Sequence, residues 1–189
     1  MTRSRRVWIP VLVGLLVAGL SGVGGGGAVA VEPRLTTAAI IVPPSAFTPT
    51  RNDAGPWYQN DGNGVFMFNG EAQFVAPLSF PVPVVNIKRV TLYAWDGSAE
   101  AAVCLQLLRT TPKGGLTWLE VQSVVEAGAV CTDGAQELTQ EAYTADITPR
   151  GVNQRSHNAY LKVDLMIPPG VGALAFYGVK VTYTYETRT

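Results

Sequence analysis

AYLKVDLMI, residues 159–167, is the stretch that decides the fold class. Ala159, Leu161, Val163, Leu165 and Ile167 alternate with Tyr160, Lys162, Asp164 and Met166. A period of two sends the apolar set to one side of a β-strand and the polar set to the other. Pro168, Pro169 and Gly170 then turn the chain. The alternation resumes beyond them, with Ala175, Tyr177, Val179, Val181, Tyr183 and Tyr185 against Phe176, Gly178, Lys180, Thr182 and Thr184.

Working outward, the same grammar recurs. Residues 86–95 form a two-faced strand, with Val90, Leu92 and Ala94 on one side and Thr91, Tyr93 and Trp95 on the other. Asp96, Gly97 and Ser98 mark a turn. Residues 101–110 follow with Val103, Leu105 and Leu107 on one face, and the two runs read as a hairpin. Residues 116–125 extend the meander with a bulge near 118–120, and 137–145 is a weaker, polar strand. Shorter apolar runs lie at 38–42, 65–68 and 73–76, the last followed by Pro77, Pro81 and Pro83 at an edge or linker. No segment of ten residues or more carries a helical period. About eight regularly spaced antiparallel strands predict an all-β, jelly-roll-like sandwich, with a closed β-barrel as the alternative. The short separation of the cysteines, and the absence of a tryptophan between them at immunoglobulin-like spacing, argue against an immunoglobulin pattern.

The N-terminus reads as an export address. Arg3, Arg5 and Arg6 precede an apolar run over residues 7–20, and small residues end in Ala28, Val29 and Ala30. This is the layout of a secretory signal peptide, with cleavage expected after Ala30. Four successive glycines at 24–27 interrupt the helix that a retained single-pass anchor, the alternative, would need. The expected organisation is signal 1–30, an extended arm 31–50 and a sandwich 51–189, secreted or at the cell surface. Loss of three arginines leaves 11 basic residues against 14 acidic, a net charge of −3. That balance excludes a basic surface for nucleic acid or anionic lipid. In an exported chain Cys104 and Cys131 are expected to form a disulfide, closing a loop that stabilises the fold by about 3–4 kcal/mol.

Several further stretches, 44–49 (Pro-Ser-Ala-Phe-Thr-Pro), 75–78 (Val-Ala-Pro-Leu), Asp96-Gly97-Ser98 and 176–183 (Phe-Tyr-Gly-Val-Lys-Val-Thr-Tyr), resemble those of bacterial secreted β-sandwich proteins of uncharacterised activity. The resemblance implies a fold and an address. It brings no activity and no site residues.

Chemistry is sparse. A glycosidase needs two carboxylates roughly 5–10 Å apart, and no strand carries acids at i and i+2; Glu137 and Glu141 stand too far apart along one strand. His157 is the single histidine and no Gly-x-Ser-x-Gly elbow accompanies it. The expectation is a protein without enzymatic activity, with a glycan-active hydrolase as the second alternative. No cofactor is expected beyond calcium, for which Asp53, Asn60, Asp61 and Asn63 are weak candidates. Tyr93 and Trp95 share a strand face opposite the apolar set, and Trp57 and Tyr58 are expected to extend it. Aromatic rings standing outward suit stacking on sugar rings, so polysaccharide or cell-envelope material is the expected partner. Residues 31–42 form an apolar, β-prone arm that either completes its own sheet or is exchanged with a neighbour in an extracellular assembly.

Overall fold

The computed structural model describes residues 33–50, 57–111, 120–123, 130–132 and 141–187. The export segment 1–30, Asp53, Glu137 and the side chain of Trp57 lie outside the described residues. Among the described residues eleven strands run in chain order: β1 (Arg34–Val42), β2 (Thr48–Pro49), β3 (Trp57–Asn60), β4 (Val65–Leu78), β5 (Val84–Asp96), β6 (Ala102–Thr111), β7 (Glu120–Ser123), β8 (Val130–Cys131), β9 (Glu141–Asn153), β10 (Asn158–Ile167) and β11 (Leu174–Thr187). One 3-10 turn, Pro44–Ala46, follows β1. No helix among the described residues is long and apolar enough to cross a membrane.

All described pairings are antiparallel and build two sheets packed as a β-sandwich. Sheet A runs β9-β5-β11, and the far edge of β11 is shared between β1 and the start of β4. Sheet B runs from β7 and β8 through β6 and β10 to the remainder of β4, with β2 beyond. β4 therefore belongs to both. Its first residues pair with β11 and β3, while Gly70 onward pairs with β10. Gly70 has φ +85°, a conformation that glycine reaches without a Cβ penalty, and it marks the change of sheet. The path is open between β7 and β9 among the described residues, which makes it a sandwich joined along one side rather than a closed barrel.

The inner faces follow the sequence alternation. Val90, Leu92 and Ala94 meet Val103, Leu105, Leu107, Leu161, Val163 and Leu165, all without solvent exposure. One connection differs from expectation. β5 and β6 do not form a hairpin: both edges of β5 are occupied by β11 and β9, so the chain leaves sheet A at Asp96 and enters sheet B. The chain from β10 to β11 also changes sheet, and so does that from β4 to β5. Repeated crossing is the jelly-roll habit; of the expected meander the antiparallel pairing of β6 with β7 is present. β9 is longer than the 137–145 reading, since Pro149 and Gly151, which look like breakers, are tolerated on an edge strand.

In β11 a register shift between Phe176 and Gly178 breaks the alternation. Phe176 is buried in the core, with its ring edge-on to Phe47 at 4.8 Å between centroids. Tyr177, which simple alternation groups with Val179 and Val181, is set apart from them by the bulge. Gly178 has φ +127°, and a Cβ there would lie 2.8 Å from the Val42 carbonyl oxygen where β1 ends against it.

One end of the sandwich is pinned by polar groups. Asp96 is fully buried; its Oδ2 accepts from Thr132 Oγ1 at 2.7 Å and its Oδ1 from the Ser98 N–H at 3.2 Å. Thr132 in turn accepts from the Val103 N–H at 3.2 Å and donates its own N–H to the Val103 carbonyl at 3.0 Å. The expected disulfide sits beside this network, with Cys104 and Cys131 directly opposite on β6 and β8, 4.1 Å apart at Cα.

Two stability measurements test this packing. Gly178→Ala is expected to cost about 2 kcal/mol, from an unfavourable φ plus a backbone clash, and so to lower the thermal midpoint by roughly 4–8 °C. Gly170→Ala, at φ +79° with nothing within 4 Å of where a Cβ would stand, is expected to cost about half as much. Equal losses would show that the contact with Val42 carries no weight. Reduction of the disulfide is expected to lower stability by about 3–4 kcal/mol in a denaturant titration; an unchanged midpoint would count against its role.

Candidate functional site

Strand alternation and the bulge together leave the outer face of sheet A aromatic at one end. On β5 the core side chains are fully buried, whereas Tyr93 and Trp95 are half-buried on the opposite side. Two residues along a strand place them about 7 Å apart. Directly across from Trp95 stands Ala175 of β11, and across from Ala175 stands Phe66 of β4. Two strand spacings put Phe66 about 10 Å from Trp95. Ala175, without solvent exposure, lies between them. Tyr177, the extra residue of the bulge, sets its ring edge-to-face on Phe66 at 5.9 Å. Phe68, 53% exposed, continues the face two residues along β4.

Small residues shape this end. A Cβ on Gly97 would lie 2.9 Å from the Trp95 ring, so the indole lies over the turn that follows its own strand. A Cβ on Gly64 would lie 3.0 Å from the Phe66 ring and 3.2 Å from that of Tyr177.

The face becomes polar along β5. Thr91 and Thr144 share a hydroxyl hydrogen bond of 3.1 Å, and Lys180 stands beside Thr91 on β11. Farther on, Arg89 Nε donates to Asp146 at 2.6 Å. That hydrogen bond, and then the guanidinium charge, hold the Asp146 carboxyl below its usual range. Both groups are exposed, and such pairs contribute little to stability. Stacking surfaces and hydrogen-bonding groups thus lie on one sheet face, in adjoining zones.

The four aromatic candidates do not all converge. Tyr93 and Trp95 share the face. Tyr58 pairs with Met67, whose side chain is in the core, and its ring meets Phe74 edge-on at 5.1 Å. It is 38% exposed, at a margin of the sandwich away from Tyr93 and Trp95. Phe66 and Tyr177 join the face although the sequence reading does not place them there. Phe66 is legible in principle, since Val65 and Met67 flank it in alternation; Tyr177 is not, because its position depends on a bulge that shifts parity.

The calcium candidates form the β3–β4 turn. Asn60 Oδ1 accepts from the Gly62 N–H at 3.0 Å, and Asp61 Oδ1 accepts from the N–H groups of Asn63 and Gly64, both at 2.9 Å. These bonds are those of residues that cap a tight turn. Among the described residues no group of three or more His, Cys, Asp or Glu converges on a metal position. His157 Nδ1 lies 2.8 Å from Ser156 Oγ within an exposed turn, with Asn153 O at 3.3 Å.

On the outer face of sheet B the pairing puts Glu71 diagonal to Asp164, a separation of about 7–8 Å. Both Asp164 oxygens are engaged, Oδ1 by Gln73 Nε2 at 2.7 Å and Oδ2 by Lys162 Nζ at 3.1 Å. Asp164 is a carboxylate held by its neighbours, with Thr50 Oγ1 reaching Gln73 Oε1 at 2.8 Å to complete the row.

No protein-family model matches the chain, and no curated protein matches it. Several solved structures are similar. The CBM36-1 domain of a multidomain xylanase from the hindgut metagenome of Trinervitermes trinervoides is 15% identical over 76% of this chain and 96% of that one, with a TM-score of 0.45. The xylan-binding module CBM15 is 14% identical over 78% and 97%, at 0.44. CBM32 of AlyQ, solved with 4,5-unsaturated mannuronic acid, is 10% identical over 75% and 97%, at 0.41. Likenesses at this level assign no ligand and no site residue to this chain.

Proposed function

We propose that the chain is an exported, non-enzymatic β-sandwich that binds polysaccharide on the outer face of sheet A. The observation that carries this reading is the clustering of Tyr93, Trp95, Phe66 and Tyr177 on one side of three neighbouring strands. The face of a pyranose ring presents C–H groups to an aromatic plane, while its rim of hydroxyls requires donors and acceptors nearby. Thr91, Thr144 and Lys180 supply those beside the rings. A cluster of part-exposed aromatic residues bordered by polar groups is the composition of a contact surface. The export pattern of residues 1–30 supports an encounter with cell-envelope or extracellular polymers. In this reading Trp95 and Tyr93 stack on the ligand, and Phe66 and Tyr177 extend the platform.

Pull-down on insoluble xylan, cellulose and chitin tests it. The protein is expected to be retained on at least one polymer, and Trp95→Ala to weaken that retention tenfold or more, equivalent to about 1.4 kcal/mol. Trp95→Phe, which keeps a ring over Gly97, is expected to lose less. Tyr160→Ala, on the outer face of sheet B, is expected to bind as wild type. Retention on none of the polymers, or a loss with Tyr160→Ala and none with Trp95→Ala, would overturn the assignment.

A further inference from the structure

Among the described residues β1 is an edge strand, and its outer edge lacks the devices that keep strand edges apart. Such devices are short length, an inserted proline, a bulge, or a lysine directed along the edge. β1 is nine residues long, RLTTAAIIV, pairs with β11 without a register shift, and contains neither proline nor lysine. The opposite edge of sheet A is different: β9 carries Pro149, acidic residues and an irregular register against β5. Among the described residues β1 pairs with β11 alone.

Its outer face holds two of the large apolar side chains most exposed among the described residues, Leu35 at 65% and Ile41 at 72%. They lie six residues apart with Ala38 midway. If a second copy of β1 pairs antiparallel about a two-fold axis through Ala38, residue 35 of each copy meets residue 41 of the other. The same register places Thr36 opposite Ile40 on the inner side and Ala38 opposite itself, and all nine residues overlap. Centring the axis one residue either way separates the Leu35 and Ile41 partners and shortens the overlap.

The flanking charges agree with that register. On β11, Lys180 is the partner of Ile41 and Glu186 the partner of Leu35, and both are exposed. Across the paired edges the outer row becomes Lys180, Ile41, then Leu35 and Glu186 of the second copy. Each apolar pair is bordered by one cation and one anion from different copies, and the two-fold axis repeats the row with signs reversed. Long side chains at both ends can lean over the apolar pair and cover it.

We infer that the chain forms a two-fold dimer through antiparallel pairing of β1 with β1 of a second copy, which makes sheet A continuous across both molecules. The interface is isologous, so the pairing closes and does not propagate into a filament. A nine-residue overlap adds roughly eight backbone hydrogen bonds. β1 stays in its own sheet, so this is edge addition and not exchange of the 31–42 arm. The inference is independent of the carbohydrate reading.

Sedimentation equilibrium of the purified protein is expected to show a concentration-dependent dimer. Ile41→Lys, at a largely exposed position, is expected to shift it to monomer by at least tenfold in dissociation constant while leaving the thermal midpoint within a degree or two. The register is read by a thiol crosslinker spanning about 8 Å: Ala38→Cys, whose two copies meet at the axis at about 5 Å, is expected to give a covalent dimer. Arg34→Cys, whose copies lie eight residues apart and so about 27 Å, is expected to give none. A monomer at every concentration, or a dimer unaffected by Ile41→Lys and crosslinked equally through residue 34, would overturn the inference.

Discussion

The rest of this structure depends on one strand serving two sheets. β4 enters in sheet A, bends at Gly70 and continues in sheet B, and the chain follows that bend on both of its edges. On one edge β10 and β11 run antiparallel along it in succession, with the turn at 168–173 placed where β4 changes sheet. On the other edge β2 and β3 divide in the same way. A backbone conformation with positive φ is what allows a continuous ladder to turn from one layer into the next, and a residue with a Cβ would resist it. Once β4 is shared, the inner faces of the two sheets are held in opposition along one side, and the alternating apolar residues have a common interior to fill.

The position of the aromatic face follows from the short span of β4 that lies in sheet A. β11 meets β4 only at residues 174–176, because the antiparallel pairing runs back to Val65, where β4 begins after its turn from β3; the edge beyond is taken by β1 from Val179 onward. The bulge at Tyr177 lies in the gap between these two partners, where no neighbour imposes a register on that edge. It turns a ring outward beside Phe66 and leaves Gly178 to pass beneath the end of β1. The same junction that relieves the backbone therefore adds an aromatic side chain to the surface.

Much of this is legible from the residues. The 159–167 alternation marks β10 nearly to its ends, the pair of cysteines marks the bond, and the split of 86–95 into two faces puts Tyr93 and Trp95 on the solvent side. The failures share a cause. A period of two states which residues share a face, but not which strand lies alongside. Asp96-Gly97-Ser98 has hairpin chemistry, yet β5 has no free edge to offer β6. Tyr58 is an exposed ring, as its composition suggests, yet its register opposite Met67 sets it on the other side of the sheet from Tyr93 and Trp95. Bulges reverse parity without a signature in composition, so alternation alone groups Ala175 and Tyr177 with Val179 and Val181, although the bulge puts the two pairs on opposite faces.

Asp96 shows where local and global demands meet. Its place in the alternation, after Val90, Leu92 and Ala94, sends a carboxylate to the interior, and turn chemistry alone gives no reason for it to remain there. A buried carboxylate without partners is costly, and here the hydroxyl of Thr132 and the N–H of Ser98 donate to it. Thr132 follows Cys131, so the residue that satisfies Asp96 is held in place by the disulfide. The covalent bond and the buried acid thereby secure the same end of the sandwich from both sheets. That is the end of β5 at which Trp95 sits, one residue before the buried acid, with its ring over Gly97. A rigid strand terminus fixes the orientation of the indole more narrowly than a loop would, and recognition by stacking requires that ring planes be set before the ligand arrives.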